Sequence, residues 1–282
     1  MVRGEMDFNF ADLHETLARA VPERSGIVFR DRRFTYAEVA ERTRRLANFL
    51  LEQGLRVRAE RDALATHESG QAHLAIYLYN GNEYLECMLG AFKARVAPLN
   101  VNYRYVDEEL LYLFENADTE AVVYHAEFAP TLARIRDRLP KLRVLVQVAD
   151  ESGNPLLPGA IDYEAALGSA SAAPPPVTPS PDDLYIVYTG GTTGMPKGVL
   201  WRSGDAFVAA MGGRKMDGTE FATYDEVAAF SRATGESLRT VVGPPLMHAA
   251  AQWSCFIMMT MGATIVFPSE AKRFAPDEFL AT

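Results

Sequence analysis

The sequence predicts an α/β fold: layered sheets, the main one largely parallel, flanked by helices. Three observations carry this. Short apolar strand runs alternate with helical stretches from His73 to Val148, the pattern of consecutive strand–helix units. A glycine- and threonine-rich run follows directly on another apolar strand, Leu184 to Tyr188. And the uncharged stretch from Thr240 to Ser269 is cut by Gly243, Pro244, Pro245, Gly262 and Pro268 into a core helix and a strand.

The first element has complete start signals. Thr35 stands as N-cap with Glu38 three residues on, a capping box, and Phe34 and Val39 form a hydrophobic staple. Val39, Thr43, Leu46 and Leu50 follow at helical spacing until Gly54 ends the helix. Arg56 to Gln71 is polar and reads as an exposed loop. His73 to Leu78 is a buried strand, Glu83 to Ala94 an apolar helix, and Val96 to Asn100 an extended segment too rich in Pro and Asn for a helix. A helix over Asp107 to Asn116, a strand over Ala121 to Tyr124, a helix over Pro130 to Leu139 and a strand over Leu142 to Val148 complete the alternation. Residues 168–181 read GSASAAPPPVTPSP, and 168–183 is expected to be a flexible connector, since this composition cannot pack a core. Segment 212–239 is charged and glycine-rich and reads as a surface excursion, with a cover over the site as the alternative.

Composition bounds the function. The 282 residues are 48% hydrophobic and 23% charged, proportions of a globular chain large enough for a sizeable core. The net charge of −9 argues against nucleic acid as a partner, because counterion release needs clustered Lys and Arg. Cys87 and Cys255 stand far apart in apolar stretches, which suits buried thiols in a reducing cytoplasm rather than a metal site or a disulfide framework. Met1 to Asp12 lacks the apolar core of a signal peptide. The longest apolar run between breakers, Leu246 to Met261, contains His248 and Gln252 and falls short of the ~20 residues a transmembrane helix needs. His14, His67, His73 and His125 show no metal-ligand spacing.

The chemistry concentrates at Thr189, Gly190, Gly191, Thr192, Thr193, Gly194, Met195, Pro196, Lys197 and Gly198, which precede a second apolar strand, Val199 to Trp201. Glycines allow close approach to the backbone, threonines add hydroxyls and Lys197 a cation, the provisions a polyanion needs. The run is not a Walker A loop: Pro196 precedes the lysine, Gly198 follows it, and a strand rather than a helix comes next. The competing reading is a glycine-rich hairpin that only turns the chain.

Tyr188 to Gly198, YTGGTTGMPKG, closely resembles the phosphate-binding signature of the AMP-forming adenylating enzymes, which include acyl-CoA synthetases, adenylation domains and luciferases. The usual third residue of that signature is serine; here it is Gly190. FTYAEVAERTRRLANFLLEQG resembles the family's first helix. Tyr77 to Tyr105 resembles its early strand–helix–strand segment, in wording closest to bacterial fatty-acyl-CoA synthetases. Pro244-Pro245-Leu246-Met247-His248 resembles the motif between nucleotide and acyl pocket, whereas Arg56 to Gln71 departs from the family's shorter link.

The resemblance implies an incomplete large N-terminal domain of an adenylate-forming enzyme spanning 1–282, with ATP, a carboxylic acid and coenzyme A as substrates and Mg2+ as the accompanying ion. It implies phosphate contacts from Thr189, Gly190, Gly191, Thr192, Thr193, Gly194 and Lys197. It also implies a carboxylate and acyl pocket at His248, Ala249 and Trp253, with the small residues Ala249 to Ala251 leaving room, while helical spacing equally places Trp253 and Phe256 in the core. The family's later Tyr-Gly-x-Thr-Glu segment, its ribose-binding aspartate and its small C-terminal domain with the adenylation lysine have no counterpart here, so a further C-terminal half is expected. The last residues, with Asp277 and Glu278 suited to a helix N-terminus, are expected to open a helix. Two functions follow: an acyl-CoA ligase activating a fatty or other bulky hydrophobic acid, inactive as this fragment, or a non-enzymatic remnant that at most binds nucleotide weakly.

Overall fold

The computed structural model describes residues 8–191, 194–273 and 275–282. Two sheets form. The larger has seven strands, β3 (His73–Tyr77), β4 (Ala97–Asn100), β5 (Thr119–His125), β6 (Val144–Val148), β7 (Ile161–Asp162), β8 (Leu184–Gly191) and β9 (Gly194–Arg202), in the order β7-β6-β5-β3-β4-β8-β9. All neighbours are parallel except the final β8–β9 pair. The smaller joins β1 (Ser25–Phe29), β2 (Arg32–Thr35), β10 (Arg239–Val241) and β11 (Thr264–Phe267) in the order β10-β11-β1-β2. The expected α/β class with layered sheets is what the chain adopts.

Strand alternation divides the interior in two. Ala75, Tyr77, Val122 and Tyr124 face one core with helices α4 (Asp107–Asn116) and α5 (Ala129–Ile135). Leu74, Ile76, Ala121 and Val123 face the other, filled by α1 (Phe10–Ala20), α2 (Tyr36–Glu52), α3 (Asn82–Lys93) and α6 (Tyr163–Ser169). The inner face of the small sheet, through Ile27, Phe29, Ile265 and Phe267, closes that second core together with α9 (Ala249–Thr260). Helices α7 (Ser203–Ala210) and α8 (Tyr224–Thr234) join that second core through Ala206, Phe207 and Val227, and α10 (Pro276–Ala281) follows β11. Among the described residues no helix is long and apolar enough to cross a membrane.

The capping box forms as read: Thr35 Oγ1 accepts from the Glu38 N–H at 3.2 Å, and Glu38 accepts from the Thr35 N–H at 2.7 Å. Three helices are tied by ions. Buried Lys93 of α3 donates to Glu15 of α1 and, at 2.8 Å, to Thr43 of α2. Burial pushes the Glu15 carboxyl up, but its bonds to Arg44 and Lys93 outweigh this and hold it at about 2.

The segment read as extended from Val96 to Asn100 forms β4, while some other expectations need correction. The strand Ala97–Asn100 contains Pro98 inside the sheet, where proline is normally excluded. Ala97 and Val101 donate their N–H groups to Ala72 and Ile76 on the β3 side, which turns the Pro98 nitrogen toward β8, where pairing is confined to Leu99 opposite Ile186. The missing donor therefore breaks no ladder. The helix expected from Leu246 begins at Ala249, because His248 holds an extended backbone, φ −110° and ψ 138°, as its N-cap. Of the connector 168–183, residues 168–169 close α6 and Asp183 is buried against Arg95 at 2.9 Å. The stretch between crosses α2, where Asn48 donates to the carbonyls of Ser171 and Ala173. Segment 212–239 is packed rather than a loose excursion: it contains α8, whose Val227 is buried, and Arg24 donates to the Ser231 carbonyl at 2.8 Å. Helix α1, which precedes the first element read from the sequence, was missed; its signals were Asn9, whose side chain accepts from the Asp12 N–H, and Phe10, Leu13 and Leu17 at helical spacing.

Candidate functional site

The glycine-rich run is not a loop between two strands but part of them. Strand β8 continues to Gly191 and β9 starts at Gly194, with Thr189 opposite Lys197, Tyr188 opposite Gly198 and an irregularity between Thr189 and Gly191. Pro196 falls at that irregularity, where a residue without an N–H is tolerated. Thr192 and Thr193, expected to contact phosphate, lie outside the described residues.

The glycines divide by what surrounds them. A Cβ on Gly198 would come within 2.8 Å of the Tyr188 ring, whose hydroxyl donates to Asn116 at 2.7 Å. Gly198 is therefore a packing residue. Added Cβ atoms on Gly190 and Gly194 meet nothing within 4 Å, so a serine at 190 would find open space. Gly198→Ala should then cost about 1–3 kcal/mol by forcing the ring aside, while Gly190→Ser stays within about 0.5 kcal/mol of wild type. Chemical denaturation of both variants checks this, and equal losses would sink the packing account of Gly198.

Residues opposite one another in an antiparallel pair share a face, so Thr189 and Lys197 lie on the face that also carries Val187 with Val199 and Tyr185 with Trp201. Helix α9 packs there: Trp253 meets Trp201 edge to face, ring centroids 6.2 Å apart at 77°. Thr189 and Lys197, both exposed, stand at the outer end of that face. His248 is exposed at the N-cap of α9 and makes no side-chain cap bond. Ala249 and Trp253 are half-buried against the core. Ala251 and Phe256 are fully packed, Phe256 against Phe10 with centroids 5.1 Å apart, so neither lines an open space.

A buried polar network holds the segment before His248, and sequence reasoning missed it. Asn80 donates to the Pro244 carbonyl at 3.1 Å and accepts from the Leu246 N–H at 2.7 Å. Gln252 donates to the Leu246 carbonyl at 2.6 Å and to the Tyr84 hydroxyl at 3.2 Å, and accepts from the Tyr185 hydroxyl. Burial raises both phenols far above their usual range, so both keep their protons. Asn100 donates to the Tyr188 and Met247 carbonyls and accepts from the Tyr188 N–H. The available signal was three amides in otherwise apolar runs, since a buried amide implies backbone partners.

The large sheet thus ends in a glycine-rich hairpin that carries an exposed lysine on the face where α9, with His248 at its N-cap position, packs. The AMP-binding enzyme family matches residues 14–282, and the chain belongs to it, as the N-terminal portion of an adenylate-forming enzyme. It is 51% identical over 276 residues to the medium-chain acyl-CoA ligase Mig of Mycobacterium avium, covering 98% of this chain and 50% of that protein. It is 36% identical over 266 residues to the 3-oxocholest-4-en-26-oate–CoA ligase of Rhodococcus rhodochrous, covering 94% of this chain and 46% of that one. The fold matches the anthranilate CoA ligase AuaEII in complex with anthranoyl-AMP, with a TM-score of 0.74 and 18% identity over 92% of this chain and 44% of that one. It also matches the N-terminal domain of FACL13 from Mycobacterium tuberculosis, with a TM-score of 0.69 and 22% identity over 92% and 56% of the two chains. The chain spans about half the length of the curated relatives it matches.

Proposed function

We propose that this chain is the phosphate-handling part of an AMP-forming acyl-CoA ligase acting on a fatty or other bulky hydrophobic acid in the cytoplasm. The observation that carries the reading is the hairpin. Packing within the chain does not ask for glycine at 190 or 194, so the bare backbone there serves as room for a ligand beside exposed Lys197. The names of the relatives, one a medium-chain and one a steroid-acid CoA ligase, favour a large apolar acid over an amino acid.

In this reading Thr189, Gly190, Gly191, Thr192, Thr193 and Gly194 surround the ATP phosphates, and Lys197 balances their charge and then that of the departing pyrophosphate. His248, Ala249 and Trp253 border the acid. A carboxylate oxygen attacks the α-phosphorus, the bond to pyrophosphate breaks, and an acyl-adenylate forms; the thiol of coenzyme A then displaces AMP to give the thioester. The chain's part is positioning and charge balance. Among the described residues no three His, Cys, Asp or Glu side chains could together hold a metal ion. The resemblance assigns magnesium to the phosphates together with the glutamate of the family's later Tyr-Gly-x-Thr-Glu segment.

The 282-residue chain alone is expected to bind ATP but to show no ATP–pyrophosphate exchange with decanoate or other fatty acids, because the adenylation lysine that the family places later is absent from it. Calorimetric titration with ATP and a radiolabelled pyrophosphate exchange assay test the two halves. Absence of ATP binding would leave the non-enzymatic remnant as the better reading, and carboxylate-dependent exchange would overturn the claim of inactivity.

A further inference from the structure

We propose that Asn100 is a positioning residue that clamps the base of the glycine-rich hairpin to the segment carrying His248, so that the phosphate end and the acid end of the site keep a fixed separation. The functional arm of this inference rests on the reading above; its structural arm does not. Asn100 is the last residue of β4 and is buried. Backbone pairing between β4 and β8 is confined to Leu99 opposite Ile186. Beyond that point the Asn100 side chain takes over the ladder: its Oδ1 accepts from the Tyr188 N–H at 2.7 Å, and its Nδ2 donates to the Tyr188 carbonyl at 2.9 Å. The same Nδ2 donates to the Met247 carbonyl at 2.7 Å.

Tyr188 opens the signature, and Met247 immediately precedes His248. One side chain thus bonds to the first residue of one motif and the penultimate residue of the other. The partners also fix the amide's orientation, since an N–H needs the oxygen and two carbonyls need the nitrogen. No other side chain of this size offers one acceptor and two donors. An aspartate would set a carboxylate against two carbonyls. A leucine of similar volume would leave an N–H and two carbonyls buried without partners. For an in-line attack of a carboxylate on the α-phosphate, a displacement of about 1 Å between the two ends is costly.

The test uses the ligand-free 282-residue chain as wild type, Asn100→Asp and Asn100→Leu, with Leu132→Ala in the opposite core as a control for general destabilisation. Amide hydrogen exchange is read by mass spectrometry. Segments 185–189 and 245–249 should both exchange about tenfold faster or more in each Asn100 variant, with no such paired acceleration in the control. In Asn100→Asp the effect, corrected for intrinsic rates, should shrink as the pH falls and the introduced carboxyl gains a proton to donate, whereas Asn100→Leu should show no recovery. Asn100→Asp preserves shape, which keeps the test available if the leucine variant does not fold. Acceleration in one segment only, or none, overturns the clamp, as does an aspartate variant without pH recovery. ATP affinity should fall about tenfold in both variants. An unchanged affinity beside paired acceleration overturns the link to function. Failure of the wild type to bind ATP sinks the proposed activity instead, and leaves the exchange result to decide the clamp.

Discussion

Lys197→Ala weakens ATP binding about 10- to 100-fold while leaving the fold intact. The size follows from losing a charge-assisted bond to phosphate, about 1.5–3 kcal/mol. The selectivity follows from the structure. Lys197 is exposed, and among the described residues no carboxylate forms an ion pair with it, so its removal strands no partner inside the protein. Titration calorimetry with ATP and with AMP separates the outcomes. A lysine that meets the outer phosphates costs ATP more than AMP, and its loss flattens the salt dependence of ATP binding. Equal affinities in wild type and variant would count against placing the phosphates at this hairpin.

Glu86→Ala should destabilise the chain by about 3–5 kcal/mol, the cost of stranding the buried Asn82 and Tyr163 donors and one side of the Arg42 guanidinium, which keeps Glu164 as its other partner. Glu86 lies on α3 with its side chain fully buried. Arg42 of α2 grips it at both oxygens, at 2.9 and 3.0 Å. Asn82 donates to it at 2.8 Å, and the Tyr163 hydroxyl of α6 at 2.7 Å. One carboxylate therefore satisfies four donor bonds and joins α2, α3 and α6. Glu86→Gln keeps the shape and part of the bonding, so its loss should be smaller. Urea denaturation of both variants checks the ranking; a loss under about 1 kcal/mol in Glu86→Ala would mean that the neighbours find substitutes.

These two residues also mark what the sequence disclosed. Lys197 was legible because its chemistry is written in adjacent residues, YTGGTTGMPKG, and the start of α2 because its capping box is local. The central strands of the large sheet were legible because they are buried on both faces and separated by clear helical patterns, whereas the two-residue edge strand β7 was not read. The four-stranded sheet was largely hidden. Its strands are three to five residues long. Its β1–β2 hairpin turns at Arg30 with φ of 57°, a conformation that a glycine or asparagine would have announced and an arginine does not. Glu86 and Asn100 were hidden for another reason: each acts through partners more than forty positions away, and no periodicity reports such pairings.

The placement of β9 has one more consequence. It is the outermost strand of the large sheet, so one row of its backbone donors and acceptors has no sheet neighbour among the described residues, and Val199 beside it is 45% exposed. A bare margin of this kind recruits strands from other molecules. Pro196 removes a donor from that margin and Lys197 sets a charge on it, two devices that discourage such recruitment. The signature proline and lysine thus also guard solubility, and a variant lacking both would tend to self-associate through its sheet edge before it reached any nucleotide.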